Sequence, residues 1–374
     1  MMKKLHVCIL LTVLLVFFAV LSSCGESNMD EICVTASNHG CWDGETYYYL
    51  SQPWPNRIMY QRMDNVQSAG LPLYDDLLAE GAEDPFKNVD VIRCFLVDPT
   101  ETEKNGGAPA LLIAAKLYIP SGEPGVVGKS YSRIFYYNTK THRATVINDE
   151  IPNTVEQMIL YGDAIYYTTD DGDKGQIVHK IKTDGSDHST METSEKHYFT
   201  LMDIYDGTLI LYEIATKTVY TCSDELMDLE PLTNEASNLY HMEVYDGYLY
   251  YHAYSKIVDG VVTCFEIRRI HLSGEKESEL IMEDVGFGRF ADGVFYYFPY
   301  TGQVNLSDFH TLYAYDLNTG EERMIFNTSR KAVFQYYTEI SDRYMMCSVQ
   351  ELTTGKTYMS CVDLETLEET KVPY

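Results

Sequence analysis

Basic side chains are scarce in this chain of 374 residues: 28 Lys and Arg stand against 56 Asp and Glu, a formal net charge of -28. A phosphate-binding surface needs clustered cations, so nucleic acid is excluded as a partner. Proline and glycine are sparse too, at 12 and 24, and the 45% apolar share supplies a large core, which excludes disordered and collagen-like chains. The longest apolar run, Leu5 to Val20, covers sixteen residues broken by His6 and Thr12. A membrane-spanning helix needs about 20. Also missing are a His-Glu-x-x-His pair, a Gly-x-Ser-x-Gly elbow and metal-like spacing among the 10 histidines. Tyrosine is what abounds, 32 residues against 14 Phe and 2 Trp, and a strand-favouring aromatic used this often points to β-structure.

Lys3 and Lys4 ahead of the apolar run give residues 1–23 the layout of a secretory signal. Leu21-Ser22-Ser23-Cys24-Gly25 then resembles the lipobox of bacterial lipoproteins, which implies that Cys24 takes a diacylglycerol and becomes the mature N-terminus. Acyl chains anchor by burying methylenes, so the expected place is the extracytoplasmic side of a bacterial membrane, at the cell surface or periplasmic face. Removing residues 1–23 takes two lysines and no acid, leaving 26 basic and 56 acidic residues, net -30. An anionic bilayer repels such a body, so the lipid and a short tether over residues 24–38 must hold it there.

Of the 9 cysteines, Cys8 leaves with the signal and Cys24 is lipidated, so seven remain and at least one is an unbridged thiol. Cys347 and Cys361 are symmetric about Thr354, in a hairpin expected to turn at Thr353-Thr354-Gly355. They are therefore expected to face each other across neighbouring strands, where a disulfide and two buried apolar thiols fit equally well. Cys33, His39 and Cys41 share one short segment without the second ligand pair of a zinc module. A local disulfide or plain packing is expected there, and no metal.

Internal repeats decide the fold. Tyr245-Asp246-Gly247-Tyr248-Leu249-Tyr250-Tyr251 has relatives beginning at Trp42, Tyr161, Tyr205, Ala291 and Ile340, and the gaps between second positions are 119, 44, 40, 46 and 49 residues. The double-length first gap should hide one more copy, with strands at Val89 to Val97, Ala110 to Ile119 and Ser132 to Asn138. Each unit has room for four strands joined by tight turns, and Asp-Gly is a two-residue hairpin signal because both central positions need positive φ. The expected fold is therefore all-β, a β-propeller of seven four-stranded blades filling residues 39–374 as one domain, with six or eight blades as alternatives. Paired tyrosines break strict alternation, which suits sheets buried on both faces, with hydroxyls finding polar partners.

Ala164-Ile165-Tyr166-Tyr167-Thr168-Thr169-Asp170, followed by Ile177-Val178-His179-Lys180-Ile181-Lys182-Thr183-Asp184-Gly185-Ser186, resembles the repeat of bacterial surface propellers of unknown function, relatives of the YWTD propellers of lipoprotein receptors. The likeness is close over this unit and loose over the rest of residues 40–374. Tyr stands where Trp is usual, and seven units are counted where the receptors have six blades. The resemblance implies a cell-surface binding propeller without established catalysis, common as lipoproteins in Gram-positive bacteria.

Two ligand-like motifs fail. Gly128-Lys129-Ser130 has Glu123 where a phosphate loop needs Gly, and Asp170-Asp171-Gly172-Asp173-Lys174-Gly175 lacks the acidic spacing and closing Glu of a calcium loop. The latter reads as a polar turn, with calcium the one cofactor left in view. In an antiparallel blade the hairpin between second and third strands emerges on the same face as the link to the next blade. The longest loops fall there: Ser51 to Asn56, Pro120 to Ser130, Asp170 to Gly175, Ser255 to Val261 and Pro299 to Phe309. Trp54, Tyr300 and Phe309 would display aromatics beside Asp170 and Asp171, and binding residues gather on such loops. The leading expectation is a lipid-anchored, non-enzymatic binding or scaffold protein for an envelope glycan or protein, no catalytic residue being identified. The alternative is an exported glycan-degrading enzyme with carboxylates at the channel mouth.

Overall fold

The structure is a computed structural model that describes residues 33–35, 40–50, 58–62, 71–73, 86, 88–122, 127–172, 175–193, 196–236, 242–258, 261–273, 277–299, 311–327, 332–340, 343–351 and 353–372. Cys24, Trp54, Tyr300 and Phe309 lie outside the described residues, and so do residues 1–32.

A first strand, β1 (Cys33–Thr35), precedes sheets that each use consecutive strands. One holds β2 (Gly40–Trp42), β3 (Thr46–Leu50), β4 (Ile58–Arg62) and β5 (Leu71–Pro72). The next holds β6 (Val89–Asp98), β7 (Ala110–Ile119), β8 (Lys129–Asn138) and β9 (Arg143–Ile151), with helix α1 (Pro99–Lys104) between β6 and β7. Then come β10 (Val155–Tyr161), β11 (Ala164–Asp170), β12 (Gln176–Lys182) and β13 (Ser189–Thr190), and after them β14 (Phe199–Tyr205), β15 (Thr208–Glu213), β16 (Thr218–Ser223) and β17 (Glu230–Thr233). A seven-stranded sheet follows: β18 (Met242–Tyr245), β19 (Tyr248–Val258), β20 (Val261–His271), β21 (Glu279–Ala291), β22 (Val294–Pro299), β23 (Thr311–Asp316) and β24 (Glu322–Asn327). Strand β21 changes partner midway, pairing with β20 up to Val285 and with β22 from there to Ala291. The last sheet is β25 (Ala332–Ile340), β26 (Tyr344–Glu351), β27 (Thr357–Asp363) and β28 (Glu369–Val372).

Side chains on a strand alternate between faces, so adjacent apolar residues serve two cores. Tyr166 packs towards β14 to β16 and its neighbour Tyr167 towards β6 to β8. The same split separates Tyr47 from Tyr48, Tyr250 from Tyr251 and Tyr296 from Tyr297. Among the described residues, each of seven apolar cores joins one group of strands to the next. One of them joins the last group back to the first, through Trp42, Tyr47, Tyr344, Met346 and Cys361. The sheets therefore close into a β-propeller. β1 adds to the inner edge of β10, with Cys33 opposite Tyr161 and Thr35 opposite Ile159, and also touches β6 and β14.

Both central residues of the Asp-Gly turns take positive φ, +46 and +68 at Asp206 and Gly207 and +48 and +76 at Asp246 and Gly247. The hidden copy is found where expected, in β6 to β8. Its turn was unreadable because Asp98 caps α1, Oδ1 accepting from Glu101 N at 3.0 Å, with Pro99 at the first helical position. The hairpin of β26 and β27 differs from expectation by one residue: Cys361 faces Met346, and Cys347 faces Ser360. Glu351 N bonds to Lys356 O at 2.9 Å, so four residues form the turn instead of three. Cys361 is a buried thiol, pushed up to about 12 by burial, and the expected opposition of Cys347 and Cys361 is not formed. Residues 255–258, expected in a loop, extend β19.

Candidate functional site

The face carrying the links and the second-to-third-strand hairpins holds a histidine paired with a buried carboxylate. Phe199, the first residue of β14, lies opposite Glu213, the last of β15. His197 precedes Phe199 by two residues, and its ring stacks on Phe199 with centroids 4.6 Å apart. Its Nδ1 lies 2.9 Å from Glu213 Oε1, and the two side chains are only 15% and 5% exposed. Thr216, in the β15–β16 turn, donates to Glu213 Oε2 at 2.7 Å, and the Tyr220 hydroxyl from β16 approaches it at 3.5 Å. A carboxylate taken out of water needs such donors. Because an ionised carboxylate only accepts, Nδ1 carries the proton and Nε2 is left as the basic nitrogen.

Asp170 ends β11 beside this pair. Its Oδ1 accepts from Gly172 N at 2.8 Å, and Asp171 N donates to Gly175 O at 2.8 Å. Gly175 forms a bridge with His197, Gln176 N donates to His197 O at 2.8 Å, and Lys196 Nζ donates to Gly172 O at 2.6 Å. The structure thus brings the Asp170–Asp171 turn against the histidine segment. The next residues along the chain from each, Tyr198 and Ile214, are exposed large side chains, and Lys196 Nζ lies 5.1 Å over the Tyr198 ring. Nothing in the sequence pattern marked His197 or Glu213. The one available signal was a charged residue closing the apolar run Leu209 to Tyr212, which a two-face strand buries.

A perturbed carboxyl lies near the Asp-Gly turns on the opposite face. Glu243, on inner strand β18, accepts from Gly293 N at 3.4 Å, and its Oε2 is enclosed without a hydrogen-bond partner among the described residues. Burial first, then Asp292 and Asp203, pushes it up to about 8. Bulges interrupt the inner strands between Ile92 and Cys94 and between Val155 and Gln157, and the residues inserted there, Arg93 and Glu156, form an ion pair across neighbouring sheets. Among the described residues, no three His, Cys, Asp or Glu side chains gather so as to hold a metal ion. No helix of the described residues is long and apolar enough to cross a membrane.

No family model and no curated protein matches the chain. Solved structures do match. A dihydro-heme d1 dehydrogenase is 12% identical with a TM-score of 0.52, over 90% of this chain and 66% of its own. The β-propeller domain of the Trilobed protease from Pyrococcus furiosus, described as having an open velcro topology, is 12% identical with a TM-score of 0.51, over 91% and 97%. A puromycin-hydrolysing peptidase of Mycobacterium tuberculosis is 8% identical with a TM-score of 0.51, over 88% and 50%. The chain thus spans about half of the peptidase and just under two thirds of the dehydrogenase. At such identities the likeness is one of fold, and the fold is the β-propeller. The expectation of a non-enzymatic scaffold is corrected: the dehydrogenase and the peptidase that share the fold are enzymes, so the propeller gives no ground for a passive role.

Proposed function

We propose that this chain is an exported, lipid-anchored enzyme of seven blades that cleaves an envelope glycan by proton transfer on its link face. The observation that carries the reading is the His197 Nδ1 to Glu213 Oε1 contact of 2.9 Å around a carboxylate only 5% exposed. Glu213 fixes the ring and its tautomer, and Nε2 of His197 takes the proton of an attacking water. Solvent returns a proton to the departing glycosidic oxygen on the other face of the sugar, so the C–O bond to the leaving group is exchanged for one to water with no net proton change. A net charge of -28 favours a neutral or cationic glycan over an anionic one.

The lipobox at Leu21 to Cys24 supports the anchor, and the ring of seven cores supports seven blades. Kinship with the YWTD propellers is supported by the Ala164 to Ser186 repeat, whose strands fall at β11 and β12. The test is product release from isolated envelope polysaccharide by the mature chain. His197→Gln is expected to lower the rate by roughly 100-fold or more with the fold intact by circular dichroism. No release by the parent chain, or equal release by the variant, would overturn the assignment. Loss of membrane retention in Cys24→Ser checks the anchor separately.

A further inference from the structure

We propose that Gly175 is a positioning residue for His197, so that the hairpin of one blade sets the acid–base geometry of the next; this rests on reading His197 and Glu213 as the working pair. The two members of that pair are held differently. Glu213 belongs to β15 and is fixed by its own ladder, opposite Phe199 in β14 and Thr218 in β16. His197 lies before β14 begins, and its backbone carbonyl is held by the neighbouring sheet through Gln176 N at 2.8 Å. The parallel bridge between Gly175 and His197 is the point of closest approach.

Only glycine fits there, for two reasons. Its φ is +84, a region that side chains with a Cβ rarely adopt, and a Cβ on it would meet His197 O at 2.1 Å and His197 C at 3.0 Å. Those are backbone atoms, which cannot swing aside as the end of a flexible side chain can. Any side chain at position 175 therefore pushes the His197 backbone away, and the imidazole leaves Glu213. Lys196 adds a second hold by donating to Gly172 O at 2.6 Å. The titratable groups set against the ring are Glu213 from β15 and Tyr220 from β16, while Lys196 of its own segment and Asp171 of the facing turn bond to Gly172 O and Gly175 O.

Gly107 supplies the control, because its φ is +82 but a Cβ on it would have nothing within 4 Å. The experiment compares Gly175→Ala, Gly107→Ala, Lys196→Met and Glu213→Leu in the full mature chain. It reads the NMR signal of the hydrogen-bonded Nδ1 proton of His197 and, on envelope polysaccharide, kcat and KM. Gly175→Ala is expected to lose the Nδ1 signal and to lower kcat by about tenfold or more at unchanged KM, as misplacement of a reacting group does. Lys196→Met is expected to weaken the same signal, and it stands in for Gly175→Ala if that variant fails to fold. Gly107→Ala is expected to keep both signal and rate. Retention of the signal in both Gly175→Ala and Lys196→Met overturns the positioning role while leaving the pair intact. Retention in Glu213→Leu, which has no acceptor, overturns the pair itself, which separates the two failures.

Discussion

A buried tyrosine in this fold is asked to fill the gap between two sheets and still satisfy a hydroxyl. Tyr48 sends its hydroxyl to Asp43 Oδ2 at 2.8 Å, Tyr166 to the carbonyl of Asp224 at 2.9 Å and Tyr251 to Glu235 Oε2 at 3.0 Å. Each partner sits at a blade edge, where ring and hydroxyl meet the apolar gap and the polar rim in turn. Glu243 is the opposite case, a carboxyl enclosed without full compensation. It titrates near 4.5 in the unfolded chain and is pushed up to about 8 in the fold, mainly by burial. Between those values the folded chain keeps a proton that the unfolded chain has released. Its contribution to stability is therefore most favourable below about pH 4.5, falls as the pH rises, and levels off above about 8. The fall is on the order of 5 kcal/mol at most. Glu243→Gln, neutral throughout, is expected to flatten this part of the profile and to melt higher than the parent chain at pH 9. Melts at pH 5 and pH 9 read it, and a parent chain equally stable at both would mean that the carboxyl is ionised in the fold.

At the scale of the element, the same turn signal meets different surroundings. Gly293 has φ +74 and a Cβ on it would fall 2.4 Å from the Tyr245 ring, whereas Gly44 has φ +94 with nothing within 4 Å. Gly44→Ala is expected to cost about 1 kcal/mol of backbone strain alone. For Gly293→Ala the collision adds roughly 1–3 kcal/mol to a similar strain. Equilibrium unfolding of the two variants compares them, and equal losses would mean that the Tyr245 ring moves freely. Turns and strands of this kind were legible in the sequence because their cause is local: Asp-Gly fixes the hairpin, and doubled aromatics announce burial on two faces. Where another local device replaced Asp-Gly, as at Asp98-Pro99, the repeat vanished from view while its strands stayed readable. The hairpin holding Cys347 and Cys361 was misjudged by one residue, since a four-residue turn shifts the whole register. His197, Glu213 and Gly175 could not have been grouped in advance, because their meeting depends on how two blades abut. The turn at Asp170 and Asp171 was singled out, but as a display loop and not as the support of a histidine.

For the whole molecule, the decisive feature is how the ring closes. β21 is shared between two groups of strands, so backbone hydrogen bonds run continuously from β18 to β24. Among the described residues, no strand passes between the first sheet, β2 to β5, and the last, β25 to β28. Closure there relies on side chains: Trp42 stacks on Tyr344 with centroids 6.0 Å apart and meets Tyr47 at 4.8 Å with the rings tilted by 42°, beside the thiol of Cys361 and Met346. With no ladder between these two sheets among the described residues, this join is the place where the ring opens first when packing is lost. Trp42→Ala removes the ring common to both contacts, and such truncations cost about 3–5 kcal/mol in a packed core. The expected outcome is local as well as global. Amides of β3 and β26 should exchange faster in the variant by a larger factor than those of β19 and β22, which lie in the continuous sheet. Hydrogen exchange followed by mass spectrometry measures both regions in one experiment. Uniform acceleration would mean that the ring unfolds as a single unit, with β1, paired to β10 and touching β6 and β14, tying the first blades together strongly enough to hide the seam.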